Sequence, residues 1–181
     1  MKDNRKERTR KALLLAMVTC LQEENFDQIT TSKLAKTAGI SRSGFYTHYR
    51  DKYELIEYYQ QGLFDRLEKV FEQHKNNERE AFYQIIRFLK EEQLLTALMG
   101  PNGTRELQTY TINKVRIFIE QVMIQRYNYG PTSNIEQEYS SVYFSYAFYG
   151  ILQHWLTRGK KESPEELTHF IMNTIPIKKR D

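Results

Sequence analysis

The chain has 181 residues, with 27 Lys or Arg, 23 Asp or Glu and a single cysteine. The lone Cys20 excludes an intramolecular disulfide and suits a reducing cytoplasm. The first eleven residues carry six basic side chains, which argues against a signal peptide. The longest apolar run, Val142 to Leu152, is too short to span a membrane. We therefore expect a cytoplasmic protein without membrane contact.

The net charge of +4 is concentrated in the N-terminal third of the chain. Residues 1–55 hold 11 Lys or Arg against 7 Asp or Glu, whereas residues 56–181 hold 16 of each. An excess of positive charge confined to one region favours a polyanionic partner for that region.

The chain begins with a basic arm that becomes an amphipathic helix. The apolar positions recur at helical spacing and are Leu13, Ala16, Met17, Cys20 and Leu21. Cys20 lies on this stripe, so we interpret it as a core residue rather than a nucleophile. The basic arm itself is either a solvated tail or a segment that follows the DNA backbone or minor groove.

The stretch Thr30 to Lys52 has the pattern of a helix-turn-helix. Thr30 is a hydroxyl cap before a short helix, and Gly39 ends that helix because glycine readily adopts a left-handed conformation. Ser41 then caps a second helix. The apolar positions that join the two helices are Leu34, Ala35, Ala38, Ile40, Phe45 and Tyr49.

The second helix leaves a set of polar and aromatic side chains facing outward. These are Arg42, Ser43, Tyr46, Thr47 and His48. Such side chains can donate hydrogen bonds to phosphates and to base edges, as a recognition helix in the major groove does. We therefore predict that this helix binds DNA.

Gly44 lies inside the second helix, where glycine costs about 1 kcal/mol relative to alanine. One explanation is a tolerated flaw in a short helix. The other is that the missing Cβ lets the helix backbone approach DNA closely.

This stretch resembles the DNA-binding domain of the TetR family of transcriptional regulators. In that family a T-x-x-x-[LI]-A-x-x-A-G-[VI]-S helix-turn is followed by [FL]-Y-x-H-[FY]-x-x-K-x-x-L. The matching positions are Thr30, Leu34, Ala35, Ala38, Gly39, Ile40, Ser41, Phe45, Tyr46, His48, Tyr49, Lys52 and Leu55. The resemblance implies a three-helix domain that binds a double-stranded DNA operator, with Lys52 on a phosphate. The residues expected to bind DNA are Thr30, Thr31, Ser32, Ser41, Arg42, Ser43, Gly44, Tyr46, Thr47, His48 and Lys52.

Only helices are predicted beyond this motif. Asp51 and Glu54 form a capping box for a helix that runs to about His74. Further helices are predicted over residues 81–98, 104–127 and 134–158, with Gly100–Gly103 as a loop and Tyr129–Pro131 as a break. Ser163 caps a last helix. The expected architecture is all-α, with a helix-turn-helix DNA-binding domain at 1–50 and a helical effector-binding and dimerisation domain at 51–181.

The predicted helix from Tyr139 to Leu156 is apolar on nearly every side, so it should be buried on more than one face. One face can meet the domain core, and the other requires a partner. TetR-like proteins dimerise through a four-helix bundle in this region, and the segment 154–167 resembles regulators of the dihydroxyacetone kinase type. The expected homodimer interface is Ala147, Gly150, Ile151, His154, Trp155, Leu167, Phe170 and Ile171.

Aromatic residues are abundant, with 13 Tyr and 10 Phe. One explanation is ordinary core and dimer packing. The other is a pocket for a small hydrophobic effector, which the family resemblance supports. The candidate pocket residues are Tyr83, Phe88, Tyr110, Phe118, Tyr143 and Phe144.

Motifs for catalysis and for metal binding are missing from the sequence. The four histidines and Cys20 lack metal-ligand spacing, and neither a Gly-rich phosphate loop nor a nucleophile elbow occurs. We therefore predict a transcriptional regulator without a metal or cofactor, rather than an enzyme. The leading hypothesis is a repressor controlled by a small-molecule effector. The alternative is an activator or co-regulator whose C-terminal domain binds a partner protein.

Overall fold

A computed structural model describes residues 2–74, 76–103, 105–118, 120 and 133–174. In this part of the chain the protein is wholly α-helical, apart from one 3₁₀ turn, which confirms the predicted fold class. The helices are α1 Lys2–Glu23, α2 Thr31–Thr37, α3 Arg42–Tyr46, α4 Lys52–Gln73, α5 Glu78–Glu91, α6 Gln93–Met99, α7 Arg105–Phe118, α8 Asn134–Thr157 and α9 Pro164–Thr174. The 3₁₀ turn is Phe26–Gln28. The predicted helical residues 121–127 and the predicted break at 129–131 lie outside the described residues.

The predicted caps of α4 and α9 are confirmed. The Asp51 carboxylate accepts a hydrogen bond of 2.9 Å from the Glu54 amide at the start of α4. At α9 the Ser163 hydroxyl accepts from the Glu166 amide at 3.2 Å, and the Glu166 carboxylate accepts from the Ser163 amide at 2.8 Å. These side chains satisfy amide groups that have no partner inside the helix.

One predicted helix is interrupted. The helix expected over residues 81–98 is divided into α5 and α6, because Glu92 between them is extended, with φ −80° and ψ 91°. Hydrophobic spacing does not determine this local backbone choice. The helix α8 begins at Asn134 as predicted, and Ser133 caps it in a reciprocal capping box with Glu136.

The chain divides into two compact units. Unit 1 comprises residues 1–63 and 93–108, and unit 2 comprises residues 64–92 and 109–181. The two units are defined by which parts of the backbone lie close together. The predicted domains 1–50 and 51–181 were defined by function instead, so that division stays a prediction.

Unit 1 is built on α1, which packs against both α2 and α6. The stripe predicted for α1 is buried along its whole length, from Leu13 to Leu21. The loop after α6 is tied to the end of this helix: Asn102 donates from its side-chain amide to the Leu21 carbonyl at 2.7 Å, and its own carbonyl accepts from the Phe26 amide at 2.8 Å. These contacts fix the segment that leads from α1 into the helix-turn-helix.

Unit 2 has an aromatic core. Phe82 stands edge-on to Phe71, with 5.8 Å between ring centroids, and stacks on Phe148 at 5.4 Å. Trp155 is 1% exposed and donates its indole N–H to the Glu162 carbonyl at 3.0 Å. The helices α5 and α9 pack together around this core.

Candidate functional sites

The helix α2 begins and ends as the sequence predicts. The Thr30 hydroxyl accepts a hydrogen bond from the Lys33 amide at 3.1 Å. At the other end Gly39 has φ +69°, in the left-handed region that favours glycine. The Ile40 amide then donates to the Ala35 carbonyl at 2.9 Å, which closes the turn.

The helix α3 is shorter than expected but is capped and buried as predicted. The Ser41 hydroxyl accepts from the Gly44 amide at 3.0 Å. Phe45 and Tyr49 are both buried, with 6.1 Å between their ring centroids. The helix ends at Tyr46, so Tyr49 reaches the core from the segment after α3 rather than from a helical turn.

A polar surface, the reading face, consists of the exposed residues Arg42, Ser43, Tyr46 and Thr47 and of the half-buried Thr31. Tyr46 is 46% exposed, and its hydroxyl lies 3.5 Å from the Arg42 guanidinium. Hydrogen bonds from Thr31 and then from Arg42 lower the pKa of the Tyr46 hydroxyl. Thr31 is on α2 and the other two are on α3, so the fold brings both helices to one surface. The predicted residues Thr30, Ser32 and Ser41 are also exposed.

Gly44 faces its own helix cap. A Cβ built on this residue would lie 3.1 Å from the Ser41 hydroxyl oxygen and 3.9 Å from the Cβ of Ile40. A side chain here would therefore crowd the cap of α3. Glycine at this position has a local structural reason, and the hypothesis of close DNA approach stays a prediction.

His48 lies half-buried beside basic residues of α1. Its Nδ1 atom has no hydrogen-bond partner among the described residues. Burial lowers the pKa of His48, and the positive charges of Arg10 and Lys6 lower it further. Arg10 is fixed in place because it donates to the Tyr58 hydroxyl at 2.9 Å, with its guanidinium 4.5 Å from the centre of that ring.

The basic N-terminal segment is already helical at Lys2, so it does not form the separate arm that the sequence suggested. Its described basic residues Arg5, Lys6 and Arg8 are exposed. A row of exposed cations that also acts on His48 adds positive potential beside α3.

Lys52 does not present its ammonium group to an outside phosphate in this structure. Its Nζ atom donates to the main-chain carbonyls of Phe26, Asp27 and Ile29, at 2.6, 2.9 and 3.0 Å. A lysine ammonium has three N–H donors, so all of them are used inside the protein. The phosphate contact implied by the family resemblance stays a prediction.

Unit 2 contains an apolar cavity of about 70 Å³. Every lining residue is hydrophobic: Phe64, Leu67, Phe71, Phe82, Ile85, Ile86, Leu89, Val115, Phe148, Leu152 and Ile171. This apolar cavity has the lining expected of a hydrophobic ligand site.

The aromatic residues predicted to line a pocket lie elsewhere. Tyr83 lines a polar cleft with residues such as Arg79 and Glu165. Tyr143 is 64% exposed, and its ring stands edge-on to Phe144 at 5.3 Å. The Arg66 guanidinium lies over the Phe88 ring, 5.5 Å from its centroid, and the Lys114 ammonium lies over the Tyr110 ring, 5.4 Å from its centroid. The Phe118 side chain lies outside the described residues. The described members of the predicted set are therefore absent from the lining of the apolar cavity, and an effector pocket formed by them stays a prediction.

The predicted dimer residues fall into two groups. Trp155, Leu167 and Ile171 are buried inside unit 2, at 1%, 7% and 1% exposure, so they are core residues and that part of the prediction is corrected. Gly150, His154 and Phe170 are exposed, and Ala147 and Ile151 are half-buried.

A row of tyrosines extends the exposed side of α8. Tyr139, Tyr143 and Tyr146 are 60–71% exposed and follow one another at helical spacing, in line with Gly150 and His154. This tyrosine face was missed in the sequence because the opposite side of α8 is equally aromatic. Its signal was the i, i+4, i+7 spacing of the three tyrosines.

Within the described ranges, no group of three or more His, Cys, Asp or Glu side chains is arranged to hold a metal ion. In the same part of the chain, none of the helices combines the length and apolar character that a bilayer crossing requires.

Two family models match the chain. The family described as "Bacterial regulatory proteins, tetR family" matches residues 13–59, and the one described as "Transcriptional regulator C-terminal region" matches residues 76–176. The chain belongs to the TetR family of transcriptional regulators. The helix-turn-helix predicted from the sequence lies inside the first of these matches, and the chain spans about half the length of the curated relatives it matches.

Individual relatives agree with this family. The chain is 23% identical over 172 residues to the "Uncharacterized HTH-type transcriptional regulator YxbF" of Bacillus subtilis, covering 91% of this chain but only 44% of that protein. It has the fold of NalD, "the secondary repressor of MexAB-OprM multidrug efflux pump in Pseudomonas aeruginosa", with a TM-score of 0.65, 20% identity and coverage of 97% and 98%. It also has the fold of the "Dihydroxyacetone kinase operon activator DhaS", with a TM-score of 0.58, 20% identity and coverage of 92% and 93%.

Proposed function

We propose that the protein is a homodimeric repressor that binds a near-palindromic DNA operator in the cytoplasm and leaves it when a small hydrophobic effector binds. The observation that carries this proposal is the reading face, where Thr31, Arg42 and Tyr46 meet on the exposed side of the helix-turn-helix. Guanidinium and hydroxyl groups held together in this way can donate to base edges and phosphates.

The operator is tested by recovering genomic DNA fragments bound to the intact protein and reading their shared sequence. A dimer carries two recognition helices, so we expect half-sites about one helical turn apart, roughly 34–36 Å, or a multiple of that distance. Enrichment of a single half-site, bound at full affinity by a monomer, would contradict the proposal.

The homodimer is supported by the tyrosine face of α8 and by Phe170 of α9. Together they expose aromatic surface in one protomer, which is the kind of surface that favours a protein partner. A second copy of the chain supplies the same surface, as a two-fold interface requires. Sedimentation equilibrium at micromolar concentration is expected to give twice the chain mass.

The effector is proposed to be an uncharged, hydrocarbon-like molecule, because the apolar cavity has no polar lining residue. A charged group in such a site would lose its hydration without gaining a partner. The volume is about half that of a ~150 Å³ engineered cavity that holds benzene. The effector is thus very small, or it enlarges the cavity as it enters.

Filling the cavity by mutation tests the effector proposal. Val115 lines the cavity at a half-exposed position, so Val115→Phe can add volume there with limited strain, and Val115→Ile is the smaller control. We expect Val115→Phe to abolish release from DNA by apolar compounds while leaving DNA affinity without them unchanged. Normal release in this variant would place the effector elsewhere.

A second candidate function is activation through a protein partner. It is favoured by the shared fold with DhaS, an operon activator by its printed name, and by the exposed tyrosine face. Transcription in vitro from a recovered promoter separates the two functions. A fall in transcript when the protein is added supports repression, and a rise supports activation.

A further inference from the structure

The reading face contains one side chain that can pair with a base edge through two parallel donors, and this side chain is Arg42. We propose that the Arg42 guanidinium selects a guanine in each half-site of the operator, by donating hydrogen bonds to the O6 and N7 atoms of that base. This inference rests on the proposed DNA-binding function and adds to it the base that the protein reads.

Arg42 is available to a ligand outside the protein. It is the first residue of α3 and is exposed. In helix-turn-helix proteins the first residues of the second helix contact base edges in the major groove. A guanidinium has five N–H donors, and among the described residues the partner of Arg42 is the Tyr46 hydroxyl, at 3.5 Å. The remaining donors can be offered to DNA.

Tyr46, one turn later on α3, restricts the orientation of this guanidinium. The central carbon of the guanidinium lies 5.8 Å from the centre of the Tyr46 ring, which is within the range of a cation–π attraction. The hydrogen bond to the Tyr46 hydroxyl adds a second contact between the same two side chains. A side chain that is held before binding loses less conformational entropy when it contacts a base.

Hydrogen-bond donors dominate this part of the reading face. The Tyr46 oxygen accepts hydrogen bonds from Thr31 and then from Arg42, and both lower the pKa of the Tyr46 hydroxyl. With its oxygen occupied in this way, the hydroxyl is left to donate its own proton, and a guanidinium cannot accept a hydrogen bond. Arg42 and Tyr46 therefore present donors, which acceptors on the DNA must meet.

Guanine is the base that offers two such acceptors side by side in the major groove. Its O6 and N7 atoms both accept, whereas adenine places an amino donor beside N7, cytosine presents an amino donor, and thymine has one acceptor beside a methyl group. The planar fork of a guanidinium matches the guanine pair. A matched pair of this kind discriminates against the other bases by about 5- to 150-fold.

Selection of binding sites from a random DNA library tests the assignment. The wild-type protein is expected to enrich a guanine at one fixed position in each half-site, because a two-fold dimer carries two Arg42 side chains. Arg42→Ala should lose the preference at that position and keep the preferences at the others. Arg42→Gln should shift the preference there from guanine to adenine, because a glutamine amide pairs with the N6 and N7 atoms of adenine. Poor folding of the variant cannot produce such a shift.

Arg50→Ala is the matched control for these selections. Arg50 is a neighbouring arginine whose side chain is 80% exposed and lies 3.3 Å from the Asp51 carboxylate. Its removal takes away the same charge and should leave every base preference unchanged. Retention of all wild-type preferences in Arg42→Ala, or an equal loss at every position, would overturn the assignment.

Modified guanines test the contact in the wild-type protein itself. The base 7-deazaguanine lacks the N7 acceptor, whereas inosine keeps O6 and N7 and lacks only the amino group in the minor groove. With the modified base at the selected position of both half-sites, we expect 7-deazaguanine to weaken binding roughly tenfold and inosine to have little effect. The loss with 7-deazaguanine should disappear in Arg42→Ala.

The outcomes separate the role of Arg42 from DNA binding as such. Equal losses with the two analogues, or a loss with 7-deazaguanine that persists in Arg42→Ala, would overturn the guanine contact. A shared sequence without a guanine at a fixed position would overturn it too, while leaving the proposed DNA-binding function intact. If the wild-type protein enriched no shared sequence, the proposed function itself would be contradicted.

Discussion

The helix-turn-helix and helix α8 both combine buried aromatic rings with exposed ones, yet their surfaces are organised differently. In the helix-turn-helix the caps define where each helix starts, Gly39 defines where α2 ends, and Phe45 and Tyr49 are buried. In α8 Trp155 is buried and Tyr143 is exposed, although the two belong to one apolar helix. Local backbone signals therefore determine the reading face, whereas tertiary packing determines which side of α8 is free.

The largest expected effect concerns the loop that supports the helix-turn-helix. A Cβ at Gly103 would lie 1.8 Å from the Leu98 carbonyl oxygen, so Gly103→Ala must displace backbone. We expect a loss of roughly 3 kcal/mol or more in the free energy of unfolding, measured by urea denaturation. Gly62→Ala is the control, since nothing lies within 4 Å of its added Cβ, and it should gain about 0.5–1 kcal/mol. Equal stability of the two variants would contradict the account of this loop.

The next effect separates the reading face from unit 2. Arg42→Ala should weaken specific DNA binding by about 1–3 kcal/mol, because it removes an exposed guanidinium donor without opening the core. Lys161→Ala removes the same charge from an exposed position in unit 2 and should bind normally. Fluorescence anisotropy with operator DNA measures both. Equal losses in the two variants would indicate that net charge, rather than the reading face, governs binding.

A smaller effect tests the free side of α8. Nothing lies within 4 Å of a Cβ added to Gly150 in the protomer, as at Gly62. Gly150→Ala should stabilise the helix and yet weaken dimerisation by roughly 1 kcal/mol, about fivefold in Kd, because the added methyl group separates the two copies. Sedimentation equilibrium compares it with Gly62→Ala. An unchanged dimer constant would place the interface on another surface.

The smallest effect is a pH dependence in unit 1. Burial, with Arg10 and Lys6 nearby, holds the pKa of His48 below its ordinary value of 6.5. The unfolded chain therefore takes up a proton at a higher pH than the folded protein does. The contribution of His48 to the free energy of unfolding should be complete above pH 6.5. It should decline as the pH falls from 6.5 towards the pKa of His48 in the folded protein. His48→Gln should show a smaller decline in thermal melts between pH 7 and pH 5. If the stability of His48→Gln declines as much as that of the wild type, groups other than His48 cause the pH dependence.

The sequence predicts the fold class and the helix-turn-helix well because these depend on local rules. Thr30, Gly39 and Ser41 each have a backbone role that few other residues fill, and the structure confirms all three. The break between α5 and α6 was missed because Glu92 carries no such signal.

Long-range contacts account for the remaining errors. The hydrogen bond from the Lys52 ammonium to the Phe26 carbonyl joins residues that lie 26 positions apart, and no spacing rule connects those positions. The apolar cavity likewise gathers side chains from several helices, including Phe71 and Ile171. Their hydrophobic character was evident in the sequence, but whether they filled a core or bordered a space depends on how the helices pack.

The most direct test of the central claim compares cleavage of operator DNA from the two regions. An iron chelate that cuts nearby DNA is attached to Ser43→Cys or to Tyr143→Cys, each in a Cys20→Ala background that removes the one native thiol. The account predicts that the chelate at position 43 cuts at two places about one helical turn apart, roughly 34–36 Å. At position 143 it should not cut. Cleavage from position 143, with none from position 43, would show that α2 and α3 do not read the DNA.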